Sequence, residues 1–529
     1  MERPRLLPLA LRPLPLGAIR PTGWLLNQLR IQAEGLSGHL DEFWPDIARS
    51  GWIGGEVEGW ERGPYWLDGV MPLAYLLGDA ALQAKVSHWM DHILEHQGQD
   101  GWLGPCPPRK REALLGDVWP FFILLKAVAE YHEATDDQHV LRAAERLLRF
   151  LDSFLDEKPL SGWAKYRWQD LVLGIHWLYE LTGGEWLLAL AAKVRGQGYD
   201  WQAHFADFRY PERVARGETN MGTQVVNNAM AIKQPGVWYR QSRDEADSRA
   251  ARRFIETLDR CHGQATGVFT GDEHYAGLNP SQGTELCAVV EYMFSLEVLV
   301  AALGDPLLAD RLEKIAFNAL PATFKPDMWA HQYDQQANQV ICRVSEDRVY
   351  ASNGPDANIF GLEPNYGCCT ANMHQGWPKF ASHLWMRTEG EGFAAVAYAP
   401  CEVRAEAGGR PVRISVSTGY PFADTISITV KVEGVAHFPL WLRIPAWCEE
   451  AEVAVGREAP VPAAPAAFHV VPRAWGGTTE VILRVPMTPR VQRRFHNSVA
   501  IERGPLVYAL KIGEDWRMIG GELPHVYVK

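Results

Sequence analysis

The stretch that decides the fold is PFFILLKAVAEYHEATDDQHVLRAAERLLRFLDSFL, residues 120–155. Apolar residues recur at helical spacing on both sides of the Thr-Asp-Asp sequence at 135–137, and a proline opens the first run. This pattern predicts two amphipathic helices joined by a short turn. Since each helix has an apolar stripe to bury, the stretch predicts a fold built from paired helices.

The same pattern extends outward from about Trp24 to about Leu320. Further examples are GWLLNQLRIQAEGL at 23–36 and AVVEYMFSLEVLVAALGD at 288–305. With the segment at 371–385, the periodicity predicts eleven or twelve helices. Paired helices in that number favour an (α/α)6 barrel, in which inner helices enclose a funnel and loops at one end form the site. No repeat of fixed period is visible, so a solenoid is not expected.

The pattern changes beyond about Glu389 to short, alternating apolar segments such as PVRISVSTGYP, TISITVKV, FPLWLRIPAW and TEVILRVPM. Such alternation is typical of strands and predicts a β-sandwich. We therefore expect a catalytic helical domain at 1–388 and a β-sandwich domain at 389–529. The segment VPAAPAA at 461–467 is interpreted as a loop, and no group of catalytic side chains is apparent in this second part.

Composition narrows the function. The 529 residues include 47% hydrophobic and 22% charged residues, which is ordinary for a globular chain with a large core. The net charge of −12 comes with no run of Lys and Arg, so nucleic-acid binding is not expected. No apolar run approaches the roughly 20 residues of a membrane-spanning helix. Prolines interrupt the first 23 residues, so we expect no signal peptide and a cytoplasmic location. A homodimer is one alternative for the oligomeric state, which the sequence leaves open.

The cysteines and tryptophans point toward a site rather than toward a disulfide framework. Eight cysteines are sparse and unevenly spaced for a chain of this length, which favours free thiols. Many of the 21 tryptophans lie in segments flanked by Gly or Pro, such as SGWIGG and EGWERGPYW. Aromatic rings in loops suit stacking on sugar rings, although helix packing would explain many of them as well.

The strongest local motif is Gly-Thr-Glu-Leu-Cys at 283–287 together with Gly-Cys-Cys-Thr at 367–370. Glu285 and Cys287 can share a face only in an extended or turning segment, and Cys368 and Cys369 only on a bent backbone. Three thiolates and one carboxylate suit tetrahedral Zn2+. The spacing matches no zinc finger, so buried structural thiols and a strained Cys368–Cys369 disulfide remain alternatives.

Carboxylates for acid and base chemistry stand close to this motif. The loop GDEHYAGLNP at 271–280 presents Glu273 and His274 between glycines, although an ordinary solvated turn would have the same composition. Glu363, which precedes a proline, is a second candidate for the acid, and both His274 and Glu363 are also candidate substrate ligands.

Four further residues are candidate substrate ligands. His331 and Tyr333 could line a polar site, although loop capping would explain them equally well. Trp66 could stack on a sugar and Asp68 could accept a hydroxyl, whereas the alternative is a helix entrance with an aspartate near its N-terminus.

At these residues the chain resembles the β-L-arabinofuranosidase family, glycoside hydrolase family 127. The resemblance covers nearly the whole chain, and the Glu-x-Cys and Cys-Cys pairs are its specific part. It implies that both pairs bind zinc, with Glu285, Cys287, Cys368 and Cys369 as ligands. It further implies that Cys368 attacks the anomeric carbon and that Glu273 is the acid/base. The partner would then be a small glycoside, with a terminal β-L-arabinofuranoside as the first expectation and a retaining mechanism.

This chain also departs from the family pattern. Only twelve residues separate Glu273 from Glu285, which is shorter than in the family. Phe122 and Gln224 stand where two sugar-binding histidines of the family would fall. Gln224 is therefore a candidate substrate ligand, and the sugar is left open. Two other readings remain: a carboxylate-only inverting hydrolase or lyase, and a non-catalytic carbohydrate-binding protein with structural zinc.

Overall fold

The computed structural model describes residues 6–105, 111–339, 341–344, 353–513, 518–522 and 525–528. Cys106 lies outside these residues. A helical region comes first and a β-sheet region follows, so the predicted order is confirmed.

Helices with apolar stripes form most of the first region, as the periodicity predicts. The described α-helices are α1 Gly23–Glu34, α2 Leu36–Phe43, α3 Pro45–Ala48, α4 Arg62–Leu77, α5 Ala80–Glu95, α6 Arg111–Gly116, α7 Trp119–Thr135, α8 Gln138–Glu157, α9 Gly162–Tyr166, α10 Trp168–Thr182, α11 Glu185–Gln197, α12 Trp201–Ala206, α13 Val225–Ala231, α14 Gln234–Ser242, α15 Glu245–His262, α16 Leu286–Leu303, α17 Pro306–Lys314, α18 Leu320–Ala322, α19 Cys368–Asn372 and α20 Gly376–Ser382. The opening pair, α7 and α8, is joined by Asp136 in the left-handed conformation and Asp137. The Asp137 side chain accepts a hydrogen bond from the His139 N–H and so caps α8.

The central helices form a closed ring. Packing contacts run from α4 to α7, α10, α14, α16 and α20, and from α20 back to α4. A second layer lies outside the ring, where α5 packs on α4, α8 on α7, α11 on α10, α15 on α14 and α17 on α16. The ring therefore has six helical positions with outer helices packed behind them. Polar side chains can reach its central axis from both ends.

Helix α16 contributes much of the apolar surface that the ring buries. By length and composition alone this helix could cross a membrane, but 94% of it is buried inside the protein. Apart from Glu291, Ser295 and Glu297 it is apolar, and α13, α14, α17 and α20 pack against it, which is the pattern of a core helix.

Eight strands of the second region, β5 to β12, join two strands of the N-terminal stretch in one ten-stranded sheet. Its members are β1 Arg12–Pro13, β2 Ile19–Pro21, β5 Trp385–Arg387, β6 Phe393–Ala395, β7 Cys401–Ala407, β8 Arg410–Thr418, β9 Thr425–Ile444, β10 Ala451–Val455, β11 Val461–Ala463 and β12 Ala467–Arg484. The remaining strands are β3 Thr284–Glu285 paired with β4 Asp334–Gln335, β13 Pro489–Arg493 with β14 Val499–Arg503 and β15 Leu506–Tyr508, and β16 Met518–Glu522 with β17 His525–Val528.

Two long strands connect the halves of this sheet. The segments TISITVKV and FPLWLRI, predicted in separate strands, both lie in the single strand β9, and TEVILR ends β12. The Pro-Ala-Trp and Val-Pro-Met residues that follow lie beyond the two strands. The two strands stay paired along their length because the register shift at Gly476 and Gly477 absorbs the irregularity between their halves. The predicted loop at 461–467 is partly wrong, since Val461–Ala463 pairs with β10.

A buried charge cluster joins the helical region to the sheet. Arg443 of β9 is fully buried and lies 2.5 Å from the Glu313 carboxylate of α17, and it also pairs with Asp310. Tyr420 donates its hydroxyl to the same glutamate at 2.6 Å. An unpaired buried guanidinium would be strongly unfavourable, so these contacts fix how the sheet packs on α17.

Candidate active site

The N-terminal ends of several ring helices open into a pocket of about 480 Å3. A volume of this size lies within the roughly 300–1,000 Å3 that is typical of small-molecule sites. Its lining comes from residues far apart in sequence: Glu58, Trp60, Glu61, Arg62, Tyr65, Trp163, Arg167, Gln224, Val226, Glu273, Glu285, Cys287, Tyr333, Tyr366 and Cys368.

One carboxylate and three thiols converge at the base of this pocket. Glu285 ends strand β3 and is the N-cap residue of α16, which places Cys287 in the first turn of that helix. Cys368 and Cys369 open α19, so adjacent residues can face one centre on a bending backbone. One ligand atom from each of the four residues lies within 4.8 Å of every other. We call these four residues the metal group.

The chemistry of the metal group fits a bound cation. All four side chains are acids, and Glu285 Oε2 is buried without a hydrogen bond. Burial raises the pKa values of Glu285 and Cys369 well above their ordinary ranges, because charged forms have no solvent there. Hydrogen bonds from Cys287 and Cys369 lower the pKa of Cys368 well below its ordinary range. Three thiols and a carboxylate at this separation could bind a metal ion and are compatible with zinc.

Exposure separates the two neighbouring cysteines. Cys368 is partly exposed and lines the pocket, whereas Cys369 is fully buried. Both are free thiols in the structure, so the alternative of a Cys368–Cys369 disulfide is not observed. Of the two, only the Cys368 sulfur is in a position to meet a molecule in the pocket.

Glu273 also reaches the pocket, on a loop that packs closely against α13. A Cβ at Gly271 would lie 1.8 Å from the Val225 side chain, so only glycine allows this approach. Glu273 accepts hydrogen bonds from Tyr333 at 2.6 Å and from Gln224 at 3.1 Å. Burial raises its pKa to about 7, which lets the carboxyl group exchange a proton near neutral pH.

Several of the predicted substrate ligands lie elsewhere. His331 is fully buried and binds the Leu362 carbonyl and Thr370 hydroxyl, both at 3.1 Å, so it holds the loop before α19. His274 pairs with the Thr223 hydroxyl at 2.9 Å. Glu363 accepts a hydrogen bond from Trp44 at 3.1 Å and is not among the residues that line the pocket. Only Tyr333 and Gln224 of the predicted ligands face the pocket.

Trp66 and Asp68, two of the predicted substrate ligands, lie on α4. Neither lines the pocket. Both side chains are fully buried. Trp66 donates to the Ser37 carbonyl at 3.0 Å, and Asp68 lies 2.7 Å from the Lys379 ammonium group. Phe122 is likewise buried and packs edge-on against Trp119.

Four charged residues of the pocket wall, Glu58, Glu61, Arg62 and Arg167, were not predicted from the sequence. Glu58 accepts a hydrogen bond from the Trp60 N–H, while its Oε2 atom is buried without one, and burial raises its pKa to about 7. Arg62, in the same segment, pairs with Asp46. The only available signal was the Gly-flanked, Trp-rich segment EGWERGPYW, in which the carboxylates were not singled out.

The other two charged residues of the wall, Arg167 and Glu61, contact each other and are held by neighbouring side chains. Arg167 lies between the Trp119 and Trp163 rings, 4.4 Å from each, and donates to Asn227 at 2.7 Å. Its guanidinium is 3.7 Å from Glu61, which also accepts a hydrogen bond from Trp119 at 2.7 Å. Both pocket arginines are therefore paired, and the wall offers carboxylate acceptors.

The comparisons with known proteins agree with this geometry. A family model described as the catalytic domain of β-L-arabinofuranosidase, GH127, matches residues 23–382, and the model of the GH127 middle domain matches residues 393–487. A search of curated proteins found no match.

Solved structures share the fold at low sequence identity. A GH127 β-L-arabinofuranosidase from Geobacillus stearothermophilus T6 is 20% identical, with a TM-score of 0.72 over 92% of this chain and 86% of that one. A protein described only as a glycoside hydrolase is 17% identical, with a TM-score of 0.73 over 94% and 83% of the two chains. A second GH127 β-arabinofuranosidase is 16% identical, with a TM-score of 0.66 over 94% and 85%. With the catalytic and middle domains both matched, the chain belongs to the GH127 β-L-arabinofuranosidase family and is a glycoside hydrolase.

Proposed function

We propose that the protein is a retaining exo-glycosidase that uses Cys368 as nucleophile and Glu273 as acid/base, with Zn2+ in the metal group. The observation that carries the proposal is the convergence of four ligand atoms within 4.8 Å in a pocket that also contains Glu273. The carboxylate-only alternative that pairs Glu273 with Glu363 has less support, because Glu363 does not line the pocket.

The residues divide the chemistry between them. Bound Zn2+ would keep the ligating thiols deprotonated and make sulfur a better leaving group in the second step. In the first step the protonated Glu273 gives its proton to the leaving glycosidic oxygen, while the Cys368 sulfur forms a bond to the anomeric carbon. In the second step Glu273 takes a proton from water, whose oxygen replaces sulfur at that carbon. Two displacements at one carbon retain its configuration.

The local hydrogen bonds suit Glu273 to both roles. A carboxyl group with a pKa of about 7 can be protonated in the free enzyme and ionised after the first step. Tyr333 and Gln224 hold its two oxygens, so the group stays oriented through both proton transfers. This orientation is the contribution that the loop at 271–280 makes to the mechanism.

The substrate we propose is a glycoside of a small, neutral, terminal sugar, with β-L-arabinofuranose as the first choice. The pocket volume suits a single sugar residue with its leaving group. Both arginines of the wall already have carboxylate partners, so a sugar acid has no unpaired cation to meet among the described residues. Glu58, by contrast, lines the pocket and its Oε2 atom has no hydrogen bond, so we propose this carboxylate as the acceptor for a sugar hydroxyl.

We also propose that the ring of helices is an (α/α)6 barrel, supported by its six inner positions and paired outer helices. In this arrangement the pocket is the mouth of the barrel. Loops before the inner helices then supply the catalytic groups, as they do here for Glu273 and Glu285.

The decisive experiment measures turnover, product configuration and metal content together. A panel of nitrophenyl glycosides identifies the sugar, NMR of the first product establishes whether configuration is retained, and elemental analysis gives zinc per chain. We expect retention with one zinc per chain. An inverted product, or full activity in a protein free of metal, would contradict the proposed mechanism.

A further inference from the structure

A second cavity, of about 750 Å3, lies at the other end of the ring helices. Cys287 and Glu297 illustrate the separation, since they stand ten residues apart on α16, about 15 Å along its axis. We call it the distal cavity and define it by Lys126, Glu130, Trp177, Phe294, Glu297 and His383. The N-terminal segment from Leu9 to Leu16 crosses this end and lines part of the cavity.

Glu297 is a buried carboxylate that lines the distal cavity and has no hydrogen-bond donor. It is 1% exposed, and neither of its oxygens has a hydrogen bond. His383 Nδ1 lies 3.7 Å away, but that nitrogen is already 2.7 Å from the Lys379 carbonyl oxygen and donates to it. Burial raises the pKa of Glu297 well above its ordinary range.

Glu130 adds a second carboxylate to the same cavity. Its Oε1 atom lies 3.4 Å from the Lys379 ammonium group, which makes its shorter contact, 2.7 Å, with Asp68. Glu130 Oε2 is buried without a hydrogen bond. Together Glu130 and Glu297 present three carboxylate oxygens that lack a donor.

The numbers of acidic and basic side chains inside the ring also show that some carboxyl groups lack a counter-charge. Lys126 is 3.3 Å from Asp68, and Lys233 is 2.9 Å from Asp170. These two lysines therefore pair with carboxylates in the middle of the ring. Five carboxylates, Asp68, Asp170, Glu130, Glu291 and Glu297, therefore share three ammonium groups, Lys126, Lys233 and Lys379. Two carboxyl groups are therefore in excess. Among the described residues Glu297 has no Lys or Arg partner, and the Lys379 that Glu130 contacts at 3.4 Å lies closer to Asp68, at 2.7 Å.

We propose that the distal cavity binds a primary ammonium group that carries an apolar chain. An ammonium group has three donors, which match the three oxygens of Glu130 and Glu297. Leu125, Leu173 and Trp177 line the same cavity and suit a chain of methylene groups. Among the described residues, only the metal group brings three or more ligating side chains close enough for a metal ion, so a bare divalent ion fits less well here.

The entrance favours a cation as well. Glu133 and Asp136 line the cavity and are solvent-exposed, and the Asp136 side chain is 92% exposed. Arg12 and Arg240 line the cavity as well, and Arg240 pairs with Glu180 at 2.5 Å. Acidic residues still outnumber basic ones in the lining, and negative charge at an entrance raises the local concentration of cations. Leu181, which is 49% exposed, adds an apolar surface beside them.

Calorimetric titration of the full chain with hexylammonium chloride tests this inference. Hexanol and sodium hexanoate serve as probes of the same length without the positive charge, at constant ionic strength. We expect saturable binding of hexylammonium and at least tenfold weaker binding of the other two probes. Equal binding of hexanol, or no binding of any probe, would overturn the proposal and leave a cavity that holds solvent only.

Two variants locate the site. Glu297→Gln keeps the shape of the side chain and should weaken hexylammonium binding at least about tenfold, because a charge-assisted contact is lost. Asp136→Asn is the matched control at the exposed rim, and it should leave the dissociation constant within about threefold. Unchanged binding in Glu297→Gln contradicts the proposal. If that variant does not fold, Glu130→Gln must show the same loss.

Discussion

Two buried polar clusters, both built around α16, have opposite charge balances. The metal group contains four acids and no base, whereas Glu291, six residues after Glu285, faces Lys126, Lys233 and Lys379. We call the second cluster, Asp68, Lys126, Asp170, Lys233, Glu291 and Lys379, the lysine layer. Both clusters are almost completely buried.

The pKa values of the two glutamates show what this difference means. Burial opposes ionisation at both, yet the three lysines hold the pKa of Glu291 below its ordinary value. At Glu285 burial and neighbouring acids raise the pKa well above that value. The lysine layer thus supplies its own counter-charge and stabilises the fold, while the metal group needs a cation from outside.

The largest expected effect comes from the thiol that faces the pocket. Replacing Cys368 by Ser should lower kcat by at least about 10⁴-fold, because a nucleophile and a metal ligand are lost together. Steady-state kinetics with the nitrophenyl glycoside selected from the panel measures this, and elemental analysis reports the zinc. The exposed thiol Cys342 gives the control: Cys342→Ser should keep full turnover. If Cys368→Ser turned over the substrate nearly as fast as the unmodified enzyme, Cys368 would not be the nucleophile.

The second prediction tests the lysine layer. Glu291→Gln should lower the free energy of unfolding by about 3–5 kcal/mol, since the three buried ammonium groups of the lysine layer would then share only two carboxylates, Asp68 and Asp170. Because the folded-state pKa of Glu291 is depressed, its stabilising effect is present above the unfolded-state pKa and disappears as the pH falls through the folded-state value.

Urea unfolding at pH 7 and at pH 4 measures both effects. The metal-free Glu285→Gln variant is the matched comparison and should be no less stable than the metal-free parent, since it removes one of four crowded acids. Equal destabilisation by the two substitutions would show that the clusters do not differ in charge balance.

A smaller effect is expected at the pocket wall. Glu58→Gln should raise KM by about tenfold with little change in kcat, because one charge-assisted hydrogen bond to a hydroxyl contributes roughly 1.5–3 kcal/mol before any compensation. The control is Glu56→Gln, two residues away and exposed, which should change neither constant. A fall in kcat with unchanged KM would instead place Glu58 in the chemical step.

The smallest expected effect concerns proton transfer. Since Glu273 must be protonated in the first step and its pKa is about 7, kcat/KM should fall as the pH rises above 7. Tyr333 donates to this carboxylate, so Tyr333→Phe should raise the pKa and move the alkaline limb upward by less than about one unit. Rate profiles from pH 5 to pH 10, with zinc checked in each protein, measure this shift. Movement to lower pH would argue against Glu273 as the acid.

The sequence predicted those features that depend on local periodicity. Helix pairs such as α7 and α8, and strands with alternating burial such as β8, follow from the spacing of apolar residues. The Glu-x-Cys and Cys-Cys pairs also indicated the metal group, with buried structural thiols and a disulfide as alternatives, and the family resemblance favoured the metal site among them. The sequence did not predict that two strands join in β9, since β9 pairs with β12 on both sides of the bulge at Glu433 and Gly434.

The sequence by itself thus determined the two classes of secondary structure and the four residues of the metal group. Only the tertiary structure decided what each buried charge does. Glu285, Glu291 and Glu297 are the same residue type on or at one helix, yet they face thiols, lysines and a cavity. Those neighbours come from other helices, far away in sequence. The ionisation of a buried carboxylate depends on the charges and donors within a few ångströms, and these are assembled only when the ring closes.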